Sequence, residues 1–227
     1  MKKLKIPRNL TTLAYHSIKD YILEGRLDEN SRLTEEFLSS QLGISKSPIR
    51  EALNRLETEG LIRIEPRKGA YLRKLSRREV AELYDLREAL EAHVMRTAKL
   101  TPAVFSDLRS SLKRQRVLLK ANDRAGYIEE DVHFHAQLAQ ATGNAHLCAA
   151  LENVQNQIWL SRRNTYDLSS STAPDHHESI VEALDANDRV TAECVMRGHI
   201  QNVKGRLLEF LVTNQYAEAG RLTMPEI

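Results

Sequence analysis

Apolar positions in the first third of the chain fall into short blocks with two different periods. Leu13, Ile18, Ile22 and Leu23 predict a first helix over 12–25, stopped by Gly25. Thr34 heads a short second helix, with Glu35 and Glu36 in its first turn, where the helix dipole favours negative charge. Leu42, Gly43 and Ile44 form a tight corner for which Gly43 supplies a positive φ. Ser45 then caps a third helix that runs to residue 59, with Pro48 tolerated in its first turn and Gly60 behind its end. Ile49, Ala52, Leu53 and Leu56 recur on it at i, i+3, i+4 and i+7 and make one inward stripe. The period then shortens: 61–64 and 70–73 read as a two-stranded wing joined by a turn at 66–69.

From residue 76 the helical period takes over. Ser76 and Glu79 form a capping box at its start. Six helices are expected, over 76–99, 102–121, 124–142, 145–165, 174–186 and 188–214, with a frayed tail from residue 216. The expected fold is mainly α: a winged helix-turn-helix over 1–75, followed by an all-α helical bundle over 76–227. No internal repeat interrupts this plan.

Composition narrows the class. An apolar content of 41% with 28% charged residues suits a soluble protein with a sizeable core. No apolar run reaches the roughly 18 residues of a membrane span, so no membrane partner is expected. The N-terminus is basic without an apolar segment behind it, unlike a secretory signal. Cys148 and Cys194 lack metal-site or disulfide spacing and read as small core residues of a cytoplasmic protein. The net charge of +2 conceals an asymmetry: residues 1–78 carry 17 Lys+Arg against 10 Asp+Glu, and the remainder is acidic. A polyanion bound at one end fits that balance.

The corner, third helix and wing form the arrangement that lays a recognition helix into the DNA major groove. With the apolar stripe facing inward, Ser47, Lys46, Arg50 and Asn54 are left outside. Arg50 is the expected base reader, since Arg pairs with guanine; Ser45, Lys46 and Ser47 are expected on phosphate or base oxygens. Lys68 and Gly69 at the wing tip, and Arg32 before the second helix, add backbone contacts. The segment LGISKSPIREALNRLETEGLIRIEPRKGAYL resembles the signature of GntR-family regulators, over roughly residues 10–75. It departs from that pattern at Glu36, where many relatives carry a DNA-contacting Arg.

A second constellation is polar. Ile128, Asp131, His135, Leu138 and Thr142 share one helix stripe, so Asp131 and His135 point inward. His177 aligns with Ile180, Val181 and Leu184, and His199 with Val195, Met196 and Val203. Buried ionisable groups are costly unless paired or bound to an ion. A shell of three nitrogens and one oxygen suits zinc, nickel or manganese better than calcium. Taken singly, each histidine reads more readily as a satisfied core residue than as a ligand, and jointly they could also make a metal-free, pH-sensitive cluster. His133 and His176 fall off this stripe, and His16, His93 and His146 have no matching partners.

The segments DVHFHAQLAQATGN, HHESIVEALDANDRVTAE and CVMRGHI resemble the FCD effector domain of the FadR subgroup, over about 78–214. That resemblance implies a divalent metal on Asp131, His135, His177 and His199, beside a pocket for a small organic acid. Arg87 matches an Arg common in such domains and is expected either in that pocket or on the surface. Arg162, with Arg163, is a further effector candidate, while Trp159 and Tyr166 read as core. The favoured function is a homodimeric, ligand-responsive regulator, a repressor of a palindromic double-stranded DNA operator. The rival is a metal-dependent hydrolase, since such a centre can also activate water.

Overall fold

The computed structural model describes the backbone of residues 9–27, 31–162, 170 and 172–222, and the side chains of 10–27, 31–159, 170 and 172–213. The chain divides into two compact units, Met1–Lys74 and Leu75–Ile227.

The first unit runs α1 (Asn9–Leu23), β1 (Arg32–Leu33), α2 (Glu35–Leu42), α3 (Lys46–Thr58), β2 (Ile62–Glu65) and β3 (Gly69–Leu72). Thr34 caps α2 by accepting the Phe37 amide at 3.1 Å. Gly43 ends α2 at φ 65°, the left-handed conformation that turns the chain sharply into α3. Ile49, Ala52, Leu53 and Leu56 of α3 are all buried, together with Ile18 and Ile22 of α1. Burying each large aliphatic side chain contributes about 1.5–3 kcal/mol, so this stripe is what fixes α3 on α1.

Three expectations are corrected here. The wing is a three-stranded antiparallel sheet in the order β1-β3-β2, because Arg32 pairs with Tyr71 and Leu33 with Ala70. Strand β1 has two residues, too short to display an alternation of its own. Leu13 is 53% exposed, and Ala14 and Tyr15 take the inward positions of α1 instead. Ser45 occupies the extended N-cap position of α3 without a side-chain capping bond, its side chain lying exposed.

The second unit is helical throughout its described residues: α4 (Arg77–Thr97), α5 (Pro102–Lys120), α6 (Arg124–Gln140), α7 (Ala145–Arg162), α8 (Ala173–Asp185) and α9 (Arg189–Leu222). The Ser76–Glu79 capping box forms. Thr101 caps α5 and Asp123 caps α6 through their side-chain oxygens. Helix α9 extends beyond the expected residue 214.

Helix α9 packs against α4 and α8; α5 lies against α6 and α8; α7 lies against α4 and α6. Their shared core includes Tyr84, Met95, Phe134, Leu138, Ile180, Met196 and Ile200. Neither cysteine belongs to its buried set: Cys148 is half-buried, and Cys194 is exposed because it sits off the Ala192–Met196–Ile200 stripe of α9. No helix among the described residues is long and apolar enough to cross a membrane.

Candidate functional site

At the centre of the helical unit four side chains converge. Asp131 and His135 come from successive turns of α6, His177 from α8 and His199 from α9, and each offers a ligand atom within 4.8 Å of the others. All four are buried. Their placement follows from the helical stripes: Asp131 and His135 lie between Ile128 and Leu138, His177 below Ile180 and Val181, and His199 beside Met196 and Ile200. Nε2 of His177 lies 3.3 Å from Nε2 of His199 and 3.7 Å from Asp131 Oδ1. Phe134 stacks on the His177 ring, with centroids 4.4 Å apart.

The outward nitrogens of two imidazoles are held by other helices. His135 Nδ1 contacts the carboxylate of Glu91 on α4, whose other oxygen accepts from Arg87 Nε at 2.6 Å. His177 Nδ1 lies 2.9 Å from the side-chain oxygen of Gln115 on α5. Both partners are acceptors, so Nδ1 carries the proton and Nε2 presents its lone pair. Among the described residues His135 Nε2 is buried without a hydrogen-bond partner, and so is His199 Nδ1.

Burial shapes the electrostatics. Burial is the largest influence on Glu91 and raises its pKa, but its interactions with His135 and Arg87 outweigh it and hold the carboxyl at about 2. Burial pushes His177 down to about 3, against the opposing pull of Asp131. His199 is likewise lowered by burial and by the neighbouring imidazoles. His177 and His199, held neutral by burial, and His135 with its Nε2 turned inward meet a carboxylate in a buried volume, the donor set a divalent cation takes. The residues present fit such an ion.

The remaining helical-unit candidates divide. Arg87 is neither a surface charge nor wholly consumed: it is buried, bound to Glu91, and its Nη2 has no hydrogen-bond partner among the described residues. Arg162 lies in α7 with its side chain outside the described residues, as do Arg163 and Tyr166 entirely. Trp159 is half-buried against Tyr127 and Ile128. His133 is exposed, and the half-buried His176 ring sits 5.6 Å from that of His199. Glu91 and Gln115 escape the sequence reading. The only sequence signal for Glu91 is its i, i+4 spacing from Arg87, which on a charged helix looks like a solvated pair.

In the first unit Ser45, Lys46, Ser47 and Arg50 are all exposed at the N-terminal half of α3, while Arg32 is exposed on β1 and Lys68 in the β2–β3 turn. Arg50 donates through Nε and Nη2 to Glu35, both at 2.7 Å, and Lys46 pairs with Glu36. The Arg50 bonds lower the pKa of Glu35, and the Lys46 contact lowers that of Glu36. A cleft of about 620 Å³ opens between α3 and the β2–β3 turn, rimmed by Arg32, Arg50, Asn54, Arg67 and Lys68. Arg67, exposed at φ 66°, is a cation the sequence reading left out. Gly69 has a backbone reason for its identity, since at φ +115° a Cβ would meet the Leu33 carbonyl oxygen at 2.8 Å.

Comparison with known proteins adds the relatives. Residues 82–202 match the FCD domain, and residues 10–72 match the family described as bacterial regulatory proteins, gntR family. The chain is 26% identical over 215 residues to the gluconate operon transcriptional repressor of Bacillus subtilis, covering 90% of this chain and 88% of that one. It is 27% identical to the HTH-type transcriptional repressor RspR of Escherichia coli, covering 83% and 85% respectively. Among solved structures, Escherichia coli McbR/YncC superposes with a TM-score of 0.75 at 22% identity, covering 91% of this chain and 98% of that one.

Proposed function

The chain belongs to the gntR family of bacterial regulatory proteins and carries an FCD domain, and on that premise we propose that it is a metal-dependent, effector-responsive repressor. It is a DNA-binding transcription regulator, not an enzyme. Two chains act together in the cytoplasm, each placing α3 in one half of a palindromic operator, so protein symmetry matches DNA symmetry. Arg50 reads a base; Arg32, Ser45, Lys46, Ser47, Lys68 and the Gly69 backbone hold the frame.

The observation that carries the sensor half of this reading is the buried convergence of Asp131, His135, His177 and His199. Those four would hold zinc, nickel or manganese, which supplies a fixed positive charge for the carboxylate of a small organic acid. Arg87 orients that acid through its unbonded Nη2, a donor whose burial makes an anionic acceptor valuable. Arg162 is a further contact. Because effector and operator bind one molecule, the factor by which the effector lowers operator affinity is the factor by which the operator lowers effector affinity.

Binding of full-length protein to its own promoter region, followed by fluorescence anisotropy, tests the reading. A sugar acid or other small carboxylate lowers operator affinity in metal-loaded protein and has no effect after chelation. An effect of the same size with and without metal overturns the metal-dependent part.

A further inference from the structure

We propose that Glu91 and Gln115 are positioning residues for the four-residue cluster, each fixing one histidine with Nε2 turned toward the cation. The inference rests on the metal reading above and assigns two residues that make no contact with the ion.

The α4 side is ionic. Glu91 takes His135 Nδ1 with one carboxylate oxygen and Arg87 Nε with the other, at 2.6 Å, so it is held from both ends. It is 2% exposed, and a buried carboxylate so placed persists only with such partners. Its contact fixes the ring rotation and tautomer of His135, leaving the lone pair of the opposite nitrogen for the ion.

The α5 side is neutral, and its orientation is set by a chain of hydrogen bonds. Arg114 grips Glu130 through Nε at 2.8 Å and Nη2 at 2.9 Å. Ser111 spends its one hydroxyl proton on Glu130 at 2.6 Å, leaving its lone pairs to accept from Gln115 Nε2 at 3.4 Å. The amide oxygen of Gln115 therefore faces His177 Nδ1. Turning the amide over would set its NH2 against the proton of Nδ1 and leave the Ser111 hydroxyl facing an oxygen with no proton to give it. Among the described residues His199 has no corresponding anchor, its Nδ1 being buried without a partner.

The test uses full-length protein stripped of metal and titrated with Co²⁺ alone, read by its visible absorption bands and by chelator competition. Gln115→Met removes the acceptor while keeping the volume. Arg87→Met combined with Glu91→Met removes the charge pair together and takes the acceptor from His135 Nδ1, so that no lone charge is left buried. Each is expected to weaken Co²⁺ about 10- to 100-fold and to shift the bands, because the histidine loses its set orientation. The two variants are made separately, so one that fails to unfold cooperatively leaves the other readable. Folded variants with wild-type affinity and an unchanged spectrum overturn the inference while the metal reading stands. If wild type binds no Co²⁺ more tightly than His135→Ala, the metal reading itself fails and takes this inference with it.

Discussion

His177 and His199, from neighbouring helices α8 and α9, bring their Nε2 atoms to 3.3 Å of each other in a site closed to water. Two neutral imidazoles gain little from that approach, since at most one of them can donate to the other. A cation shared by both, with Asp131 and His135, turns the crowding into coordination. Stability then depends on metal. Adding Zn²⁺ or Ni²⁺ to chelator-treated protein at about 100 times Kd stabilises the fold by about 2.7 kcal/mol. A thermal-shift series checks this, and His199→Ala is expected to lose most of the shift.

Acid should weaken the metal-free helical unit. His177 has a folded pKa of about 3 against an ordinary 6.5, and His199 is lowered in the same direction. A depressed histidine binds its proton more readily in the unfolded chain, so its contribution is complete above pH 6.5 and is lost as pH falls toward 3. Each such group adds a slope of up to about 1.4 kcal/mol per pH unit in that window. Urea unfolding of chelated protein at pH 7, 6 and 5 measures it; equal stability at the three values contradicts the burial of these rings.

On the DNA side, Arg50→Ala is expected to cost about 1–3 kcal/mol of operator affinity and to relax selectivity at one base position. Arg50→Lys does not rescue it, because an ammonium cannot make the bidentate contact. Lys68→Ala, by contrast, weakens all sequences alike and reduces the slope of log K against log salt by about 1. Competition binding against a panel of operator variants at two salt concentrations separates the two roles.

Gly69→Ala changes no charge, yet should lower operator affinity. The added Cβ meets the Leu33 carbonyl oxygen at 2.8 Å, so β3 must shift away from β1 and carry the wing tip with it. The mechanism predicts a lower unfolding midpoint for the variant alongside weaker binding. A variant with full stability and lost affinity points instead to a direct contact at this residue.

Leu56→Ala should unfold the DNA-binding unit preferentially. The side chain is fully buried in the α3 stripe, and deletions of this kind cost about 2–5 kcal/mol. Proteolysis of the variant is expected to cut within 9–74 while the helical unit survives with its Co²⁺ spectrum intact.

Period carries most of what the sequence reveals. The α3 stripe and the stripe through Asp131 and His135 are each readable because their apolar positions repeat every three to four residues, and both prove buried. Strand β1 is invisible for the opposite reason: two residues show no alternation, and its pairing is supplied by β3. Arg87 and Glu91 sit in a helix dense with charge, and nothing local distinguishes this buried pair from the solvated Arg78–Glu82 pair on the same helix. The difference lies in what packs over them from other helices. Gln115 is hidden similarly, since its meaning comes from His177, 62 residues away. Arg162 shows a separate limit: the sequence nominates it, and its side chain lies outside the described residues.

Elemental analysis of protein purified without chelator or affinity metal, beside His135→Ala prepared identically, bears most directly on the sensor. The account predicts about one divalent ion per wild-type chain and far less in the variant. Metal absent from wild type, or retained fully by the variant, contradicts it.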